Sequence, residues 1–251
     1  MKITFLGTGT STGVPEIGCS CEVCTSPDKR DGRLRTSVLV EVEGKRLLLD
    51  CGPDFRWQMI QNKTYRLDAV LISHEHYDHV GGLDDLRPFC REGGISVFAE
   101  DYVAEAIQTR IPYVFRQHKY PGVPNLELHK ISTEPFVAAG VPVIPIRVMH
   151  GKLPILGYRI GNMAYLTDVK YLPEEEYAKL EGLELLILTA LRTGSHPTHQ
   201  SLDEALDMVG RIRPKETYLI HMSHRIGLHA EVEKSLPPHI HLSYDGLTVT
   251  V

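Results

Sequence analysis

Four side chains that can bind metal ions lie within one stretch of six residues. His74 and His76 are two positions apart, so both project to the same side of an extended loop. Asp78 and His79 follow directly. Imidazole suits zinc, iron and related ions, and a carboxylate shifts the preference toward manganese or iron. Because such a dense polar run after the apolar segment Ala69–Ile72 would make a poor core, its spacing predicts a metal centre.

Three further residues of ligand type stand at or just past the ends of apolar, strand-like runs. They are His150, Asp168 and His221. A lone histidine or aspartate after a strand is more often a turn or cap residue. Strand ends can converge at one edge of a sheet, and the joint occurrence of all three predicts that they complete the metal centre. Asp50 follows another such run, where it either orients a ligand histidine or is a plain turn residue.

Three of the 5 cysteines, Cys19, Cys21 and Cys24, crowd into six residues. Clustered cysteines in a reducing compartment favour a metal site over disulfides. A structural zinc ion takes four ligands, commonly cysteines with one histidine. The alternatives are three reduced cysteines in a flexible loop, or a redox pair. Cys51 and Cys90 lie apart and are interpreted as small core residues or as supports of the ligand residues, with no chemistry assigned to them.

The elements that must position these residues are short, β-branched runs separated by turn residues, with helices between some of them. This pattern favours two packed sheets with helices outside. Ser201 and Glu204 have the spacing of a capping box at the start of a helix. The predicted strands are Ile3–Leu6, Ser37–Val42, Arg46–Leu49, Ala69–Ile72, Ile95–Phe98, Val143–Val148, Ile155–Ile160, Met163–Leu166, Leu185–Leu188, Thr217–Ile220, Ile240–Leu242 and Thr248–Val251. The predicted helices are Leu83–Cys90, Tyr102–Arg110, Glu174–Leu180, Leu202–Arg211 and Glu231–Leu236.

Composition narrows the class of protein. The 251 residues are 42% hydrophobic and 24% charged, which is typical of a globular chain, and they show no low-complexity tract or linker. We therefore expect one domain over residues 1–251. The formal charge of -5 argues against extended nucleic-acid binding. No segment has the pattern of a signal peptide or the length of a membrane span, so we expect a cytoplasmic protein with no membrane partner.

The run His-Glu-His-Tyr-Asp-His matches the HxHxDH signature of the metallo-β-lactamase superfamily. The resemblance extends over nearly the whole chain and includes Ile3–Thr10, Leu49–Pro53 and Leu166–Asp168. In detail the chain resembles the subgroup that contains the cyclic phosphodiesterase of the bacterial carbon–phosphorus lyase pathway. The resemblance implies an α/β fold, a four-layer αββα sandwich with its metals at one edge, between the sheets.

The resemblance also implies how the ligands divide among the ions. Two divalent ions (zinc, manganese or iron) would lie at the active site, with Asp168 bridging them. One would be held by His74, His76 and His150, and the other by Asp78, His79 and His221. A structural zinc ion would be held by Cys19, Cys21, Cys24 and His224.

Two neighbouring cations lower the pKa of a shared water and neutralise charge on the transferring group, which leaves a proton to be delivered to the leaving oxygen. By resemblance, His199 is the general acid, and histidine suits that role near neutral pH. We also predict that Asp78, a candidate metal ligand, is a catalytic residue. The alternative is that His199 only helps to cap the following helix.

A phosphate substrate also needs fixed donors, and we expect Ser11, Thr12, Arg192 and His196 to supply them. The Gly- and Thr-rich loop that holds the first two could equally be a plain strand–turn. One position departs from the resembled pattern, because Thr189 stands where relatives often carry an aspartate. This difference affects the prediction of the substrate more than the prediction of the metal site.

The predicted function is a phosphodiesterase that cleaves a small cyclic or nucleotide-like phosphate ester. Alternatives of the same fold are an RNA 3′-processing nuclease and a lactonase or thioesterase. The nuclease grips RNA with a projecting basic arm, and the sequence shows no such insertion. Flavin-partnered di-iron reductases replace one cluster histidine by glutamate, whereas His74 and His76 are both present. A metal-stabilised binding protein without turnover is the alternative from another class. By resemblance, a homodimer is the expected oligomer.

Overall fold

A computed structural model of the chain describes residues 1–91 and 93–251, and two seven-stranded sheets form its centre. The strands of the first sheet are β1 (Lys2–Gly7), β2 (Ser37–Val42), β3 (Lys45–Leu49), β4 (Ala69–Leu71), β5 (Ile95–Glu100), β6 (Leu126–Ile131) and β14 (Thr248–Thr250). Those of the second are β7 (Phe136–Ala138), β8 (Val141–His150), β9 (Leu153–Ile160), β10 (Met163–Leu166), β11 (Leu185–Thr189), β12 (Glu216–Ile220) and β13 (Ile240–Leu242).

Helices cover the outer face of each sheet. The α-helices are α1 (Phe55–Gln61), α2 (Tyr77–Val80), α3 (Asp101–Arg110), α4 (Leu202–Ile212) and α5 (His229–Ser235). Tighter 3₁₀ helices span Leu83–Cys90, Pro112–Phe115, Glu174–Leu180 and His224–Ile226. Helix α4 begins at the predicted capping box: the Ser201 hydroxyl accepts from the Glu204 amide, and the Glu204 carboxylate accepts from the Ser201 amide.

Both sheets direct the carboxyl ends of several strands to the same edge. The order in the first sheet is β14-β1-β2-β3-β4-β5-β6, and β3 to β6 run parallel. The order in the second is β13-β12-β11-β10-β9-β8-β7, and β10 to β13 run parallel. Residues that follow parallel strands therefore collect at one edge of the sandwich, as ligand sites do in open α/β sheets.

Apolar side chains fill three layers. One buried cluster lies between the sheets and takes residues such as Phe5 and Val38 from the first and Leu156 and Ile187 from the second. A second cluster packs α1 and α3 on the first sheet, and a third packs α4 on the second. This arrangement is the predicted αββα sandwich, so the fold prediction is confirmed.

The structure adds elements to those predicted. Strands β6 and β7 and helices α1 and α2 were missed, as was the 3₁₀ helix Pro112–Phe115. Strand β6 lies at the edge of its sheet and is mostly half-buried or exposed, so its apolar pattern is weak. The helix predicted over Leu83–Cys90 is a 3₁₀ helix with Pro88 inside it, and that residue cannot donate a backbone hydrogen bond. Within the described residues, no helix combines the length and apolar character needed to cross a membrane.

Candidate metal centre

The histidine-rich segment leaves β4 and turns into the short helix α2. His76 stands before the first turn of α2 with extended backbone, while Asp78 and His79 lie on the helix itself. Because the backbone changes from extended to helical at this point, the four side chains point toward one place. His74 Nε2 lies 2.9 Å from His76 Nδ1, and His79 Nε2 lies 3.2 Å from an Asp78 carboxylate oxygen.

The three distant residues predicted at strand ends reach the same place. His150 ends β8, and Asp168 and His221 come just after β10 and β12. Ligand atoms within 4.8 Å of one another form one group of His74, His76, His150 and Asp168, and a second group of Asp78, His79 and His221. The structure thus brings together all seven residues predicted to bind the active-site ions. Their role as ligands stays a prediction.

Asp168 stands between the two groups. Its Oδ1 lies 3.3 Å from His79 Nε2 and 3.2 Å from His221 Nε2, both in the second group. Its Oδ2 lies 3.7 Å from His74 Nε2, in the first group. A carboxylate that turns one oxygen to each group has the geometry of a bridging ligand.

Hydrogen bonds at the far side of three rings fix which nitrogen faces the centre. The Nδ1 atom of His79 lies 2.8 Å from Asp50 Oδ2, that of His74 lies 2.9 Å from Ser73 Oγ, and that of His150 lies 2.9 Å from the Thr198 carbonyl oxygen. An Nδ1–H that donates outward leaves an Nε2 lone pair pointing inward, which is the tautomer that a metal ligand needs.

Buried polar atoms without partners show that the donor set fits metal ions. Within the described residues, His79 Nε2 and both ring nitrogens of His221 are buried and make no hydrogen bond, although carboxylates lie close by. Orphaned buried nitrogens are costly, and an ion is one means of satisfying them. Imidazole and carboxylate are the donors that zinc, manganese and iron accept.

Electrostatics favour positive charge at this point. Burial works to lower the pKa of His79, but the carboxylates of Asp168, Asp78 and Asp50 outweigh it and raise that pKa well above its usual value. Burial works to raise the pKa of Asp168, but the His221 and His79 rings hold it well below its usual range. Negative carboxylates that attract a proton to an imidazole attract a metal cation equally.

The backbone is strained where the second group is held. Asp50, Asp168 and His221 have φ values of 60°, 55° and 58°, in the left-handed region that residues other than glycine rarely adopt. Asp50 and His221 follow a strand directly, and Asp168 is two residues past the end of β10. Such conformations cost about 1–3 kcal/mol each and cluster at functional sites, where the surrounding structure enforces them.

A separate group of four residues holds the long segment between β1 and β2. The Sγ atoms of Cys19, Cys21 and Cys24 lie 3.1, 3.3 and 3.4 Å from His224 Nδ1. These are the four residues predicted to bind a structural zinc ion. Three thiols and one imidazole converging on one point match a zinc donor set, and the four residues would tie the loop to the segment after His221.

His199 lies at the edge of the centre. Its Nδ1 is buried without a hydrogen-bond partner among the described residues and lies 3.8 Å from Asp168 Oδ2. Its ring centroid is 4.5 Å from that of His150 and 4.9 Å from that of His221. The cap of α4 is made by Ser201 and not by His199. Burial lowers the pKa of His199 to about 3, so the ring is neutral in the free protein.

The predicted substrate contacts surround this edge. Ser11 and Thr12 are exposed in a turn next to the pairing of Thr10 with Met222. The ring centroid of His196 lies 5.1 Å from that of His199, with the two rings tilted by 43°, and Arg192 donates to the Ser195 carbonyl. Burial first, then the Arg192 charge, lower the pKa of His196. Their roles in substrate binding remain predictions.

Other residues of the centre were missed from the sequence. Ser73 and Thr198 support His74 and His150, and Tyr165 donates a hydrogen bond of 2.8 Å to Asp50. Ser73 could have been suggested by its position beside the ligand run. The carbonyl of Thr198 carries no sequence signal, and Tyr165 sits in a run of apolar residues that indicates only a core strand. Thr189 is buried, with Oγ1 3.5 Å from the Leu166 carbonyl oxygen.

Comparison with known proteins places this geometry in a family. The model of the beta-lactamase superfamily domain matches residues 45–222. The crystal structure of a diphosphatase from the PhnP family superposes with a TM-score of 0.93 at 39% identity, covering 99% of this chain and 96% of that one. The chain belongs to the PhnP family of the beta-lactamase superfamily. The predicted resemblance is therefore confirmed. Membership of this family supports the prediction that the chain is a hydrolase that uses divalent metals.

Other relatives of this PhnP-family chain differ in name and length. A protein of Porphyromonas gingivalis named octanoyltransferase is 50% identical over 254 residues, which is 100% of this chain and 52% of the relative. The chain thus spans about half the length of that relative. The Zn²⁺-bound PqqB structure from Methylobacterium extorquens covers 100% of both chains with a TM-score of 0.80 at 19% identity, a likeness in fold.

Proposed function

We propose that the chain is a dinuclear-metal phosphodiesterase that cleaves a small cyclic or nucleotide-like phosphate ester. The main support for a dinuclear centre is the position of Asp168, whose two carboxylate oxygens face separate groups of histidines. The phosphate class is supported by the 39% identity to a PhnP-family diphosphatase. Zinc, manganese or iron fits the ligand set, with a further zinc at Cys19 and its partners.

When bound, the two cations supply a water of lowered pKa and neutralise charge on the phosphate. The chain's own residues do the rest. Asp50, Ser73 and the Thr198 carbonyl hold three imidazoles in the tautomer that leaves Nε2 free. The burial of His74, His79 and His221 shields these three rings from bulk solvent.

His199 is the proposed proton donor. Its ring stands beside Asp168 and next to His196, at the rim where the leaving oxygen would emerge. The ring is neutral in the free protein, and an anionic ester bound against it favours the protonated form. His196, Arg192, Ser11 and Thr12 are proposed to bind the phosphate and its ester group.

The decisive test compares two kinds of leaving group in a His199→Ala variant whose metal content is measured. Turnover of an alkyl phosphodiester should fall by about 10²-fold or more, because the alkoxide needs a proton. Turnover of a p-nitrophenyl ester should fall far less. The exposed His239→Ala serves as the control. Equal losses on both esters would refute the general-acid role, and a metal-loaded wild type that turns over no ester would indicate a binding protein.

A second candidate function is hydrolysis of a medium-chain acyl thioester, since the same activated water can attack a carbonyl carbon. The observation that favours it is the 50% identical relative named octanoyltransferase. About half of that relative lies outside the match, so its name describes a longer protein. A substrate panel should therefore hold cyclic phosphates, phosphodiesters, diphosphates and an octanoyl thioester under defined metals. Preference for the thioester would replace the phosphodiesterase proposal.

A further inference from the structure

The Asp50 carboxylate accepts hydrogen bonds from residues in both halves of the metal centre. Its Oδ2 accepts from His79 Nδ1 at 2.8 Å and from the Ser73 hydroxyl at 2.9 Å, while its Oδ1 accepts from the Ser73 amide at 2.8 Å. The Ser73 hydroxyl has a single hydrogen, which it gives to Asp50. Its oxygen must therefore accept from His74 Nδ1, which lies 2.9 Å away.

One buried carboxylate thus sets the tautomer of a ligand in each group. His79 belongs to the group with Asp78, and His74 belongs to the group with His76. Any rotation of the Asp50 carboxylate would misalign both rings together. The orientation of Asp50 is therefore a shared control on the two proposed ion positions.

Tyr165 supplies a contact to Asp50 from the opposite sheet. Its hydroxyl donates to Oδ2 at 2.8 Å, and its side chain is fully buried. Burial, and then the Asp50 charge, raise the pKa of Tyr165 well above its usual value, so the hydroxyl keeps its proton. Asp50 and its other partners follow β3 and β4 of the first sheet, whereas Tyr165 lies on β10 of the second, three residues before Asp168. The hydrogen bond therefore fixes the Asp50 carboxylate relative to the strand that carries the bridging residue.

We propose that Tyr165 is a positioning residue of the metal centre. Its hydroxyl holds Asp50 so that His74 and His79 present Nε2 in register with Asp168, although Tyr165 itself touches neither ion nor substrate. The proposal rests on the proposed dinuclear centre. It assigns a role to a tyrosine whose sequence pattern indicates only a core strand.

The structure offers a matched control in Tyr158. Tyr158 pairs with Tyr165 across β9 and β10, and both side chains are fully buried. The Tyr158 hydroxyl donates to the Ile72 carbonyl oxygen at 2.5 Å instead of to a carboxylate. Removing either hydroxyl costs a buried hydrogen bond and leaves an acceptor unpaired. Loss at Tyr158 frees the peptide carbonyl before Ser73, whereas only loss at Tyr165 takes a hydrogen bond from the Asp50 carboxylate itself, so its effect on the metal centre should be the larger.

The experiment compares Tyr165→Phe and Tyr158→Phe in the full chain. Affinity for Zn²⁺ is measured by competition with a chromophoric chelator, and the visible spectrum of the Co²⁺-loaded protein reports ligand geometry. We expect Tyr165→Phe to weaken affinity at the active-site pair about tenfold and to alter the Co²⁺ spectrum. Tyr158→Phe should change both quantities far less. Equal affinity and identical spectra in the two variants would overturn the proposal.

A double-mutant cycle shows whether Tyr165 acts through Asp50. In an Asp50→Asn background, adding Tyr165→Phe should change Zn²⁺ affinity less than twofold, because the carboxylate is already lost. A full tenfold effect in that background would overturn the proposed route. If wild-type protein binds no metal at this edge, the proposed function fails. If it binds two ions and Tyr165→Phe binds them equally well, the Tyr165 role alone fails.

Should Tyr165→Phe not fold, the metal-loaded wild type gives an independent answer by proton NMR. The Tyr165 hydroxyl proton and the His79 Nδ1 proton both bond to Asp50 Oδ2, so they lie close together. We expect both as slowly exchanging downfield signals joined by a cross-relaxation peak. An assigned spectrum without that peak would overturn the proposal.

Discussion

Asp168 Oδ1 lies 3.2 Å from His221 Nε2, and both residues adopt left-handed backbone within two residues of the end of a parallel strand. The two strands, β10 and β12, are separated by β11, so the contact spans three strands of one sheet. The strain is consistent with a requirement that these side chains meet at the centre.

Replacement of Asp168 by Asn should disrupt both ion positions. The amide keeps the size of the side chain but loses the charge and one acceptor oxygen. We expect elemental analysis to show fewer than two ions per chain at the active site, with a fall in hydrolysis of about 10²-fold or more. Asp207→Asn, at an exposed site on α4, should change neither quantity. Wild-type occupancy in Asp168→Asn would contradict a bridging role.

The cysteine cluster should stabilise the fold without taking part in hydrolysis. The segment between β1 and β2 has little apolar burial of its own, mainly Val14 and Val23. Cys21→Ser should lose one zinc per chain and lower the unfolding temperature by about 6–12 °C, as expected for a loss of about 3 kcal/mol in a chain of this size. The measurement is elemental analysis with calorimetry.

Cys90 provides the control for that experiment, because it is half-buried and lies outside the four-residue group. Cys90→Ser should retain the zinc and melt within about 2 °C of wild type. If Cys21→Ser keeps its full zinc content, the four residues do not form the proposed site.

The buried ring of His229 should make stability depend on pH. Burial, and then the Arg33 and Arg30 charges, lower its pKa to about 4 from an ordinary 6.5, against the opposing carboxylates of Glu233 and Asp31. A depressed pKa in the folded state means that stability is fully present above about pH 6.5. It is lost as the pH falls toward 4, because the unfolded chain takes up the proton first.

His229→Gln removes that proton linkage. Between pH 7 and pH 5 the wild type should lose about 2 kcal/mol more of its free energy of unfolding than the variant, measured by urea unfolding at each pH. His239→Gln, at an exposed histidine, should behave as wild type. The same pH dependence in His229→Gln and wild type would show that His229 does not contribute this linkage.

The local sequence pattern predicted most strands of the sandwich, because buried strands are marked by runs of β-branched and apolar residues. It failed for β6, an edge strand with weak apolar alternation, and for α2, a single turn whose residues are of metal-binding type and not core formers. The candidate ligands were predicted from the dense His74–His79 run, the joint occurrence of His150, Asp168 and His221 after strands, and the cysteine cluster. The choice of His224 came from the family resemblance. Their supports, Ser73, the Thr198 carbonyl and Tyr165, depend on how the two sheets pack, which no local pattern encodes.

Anomalous diffraction from crystals grown with Mn²⁺ or Zn²⁺ tests the dinuclear centre most directly. We expect two ions about 3.5–4 Å apart, with Asp168 contacting both and His74 and His79 binding through Nε2. A single ion, an empty edge, or a pair that Asp168 does not touch would contradict it.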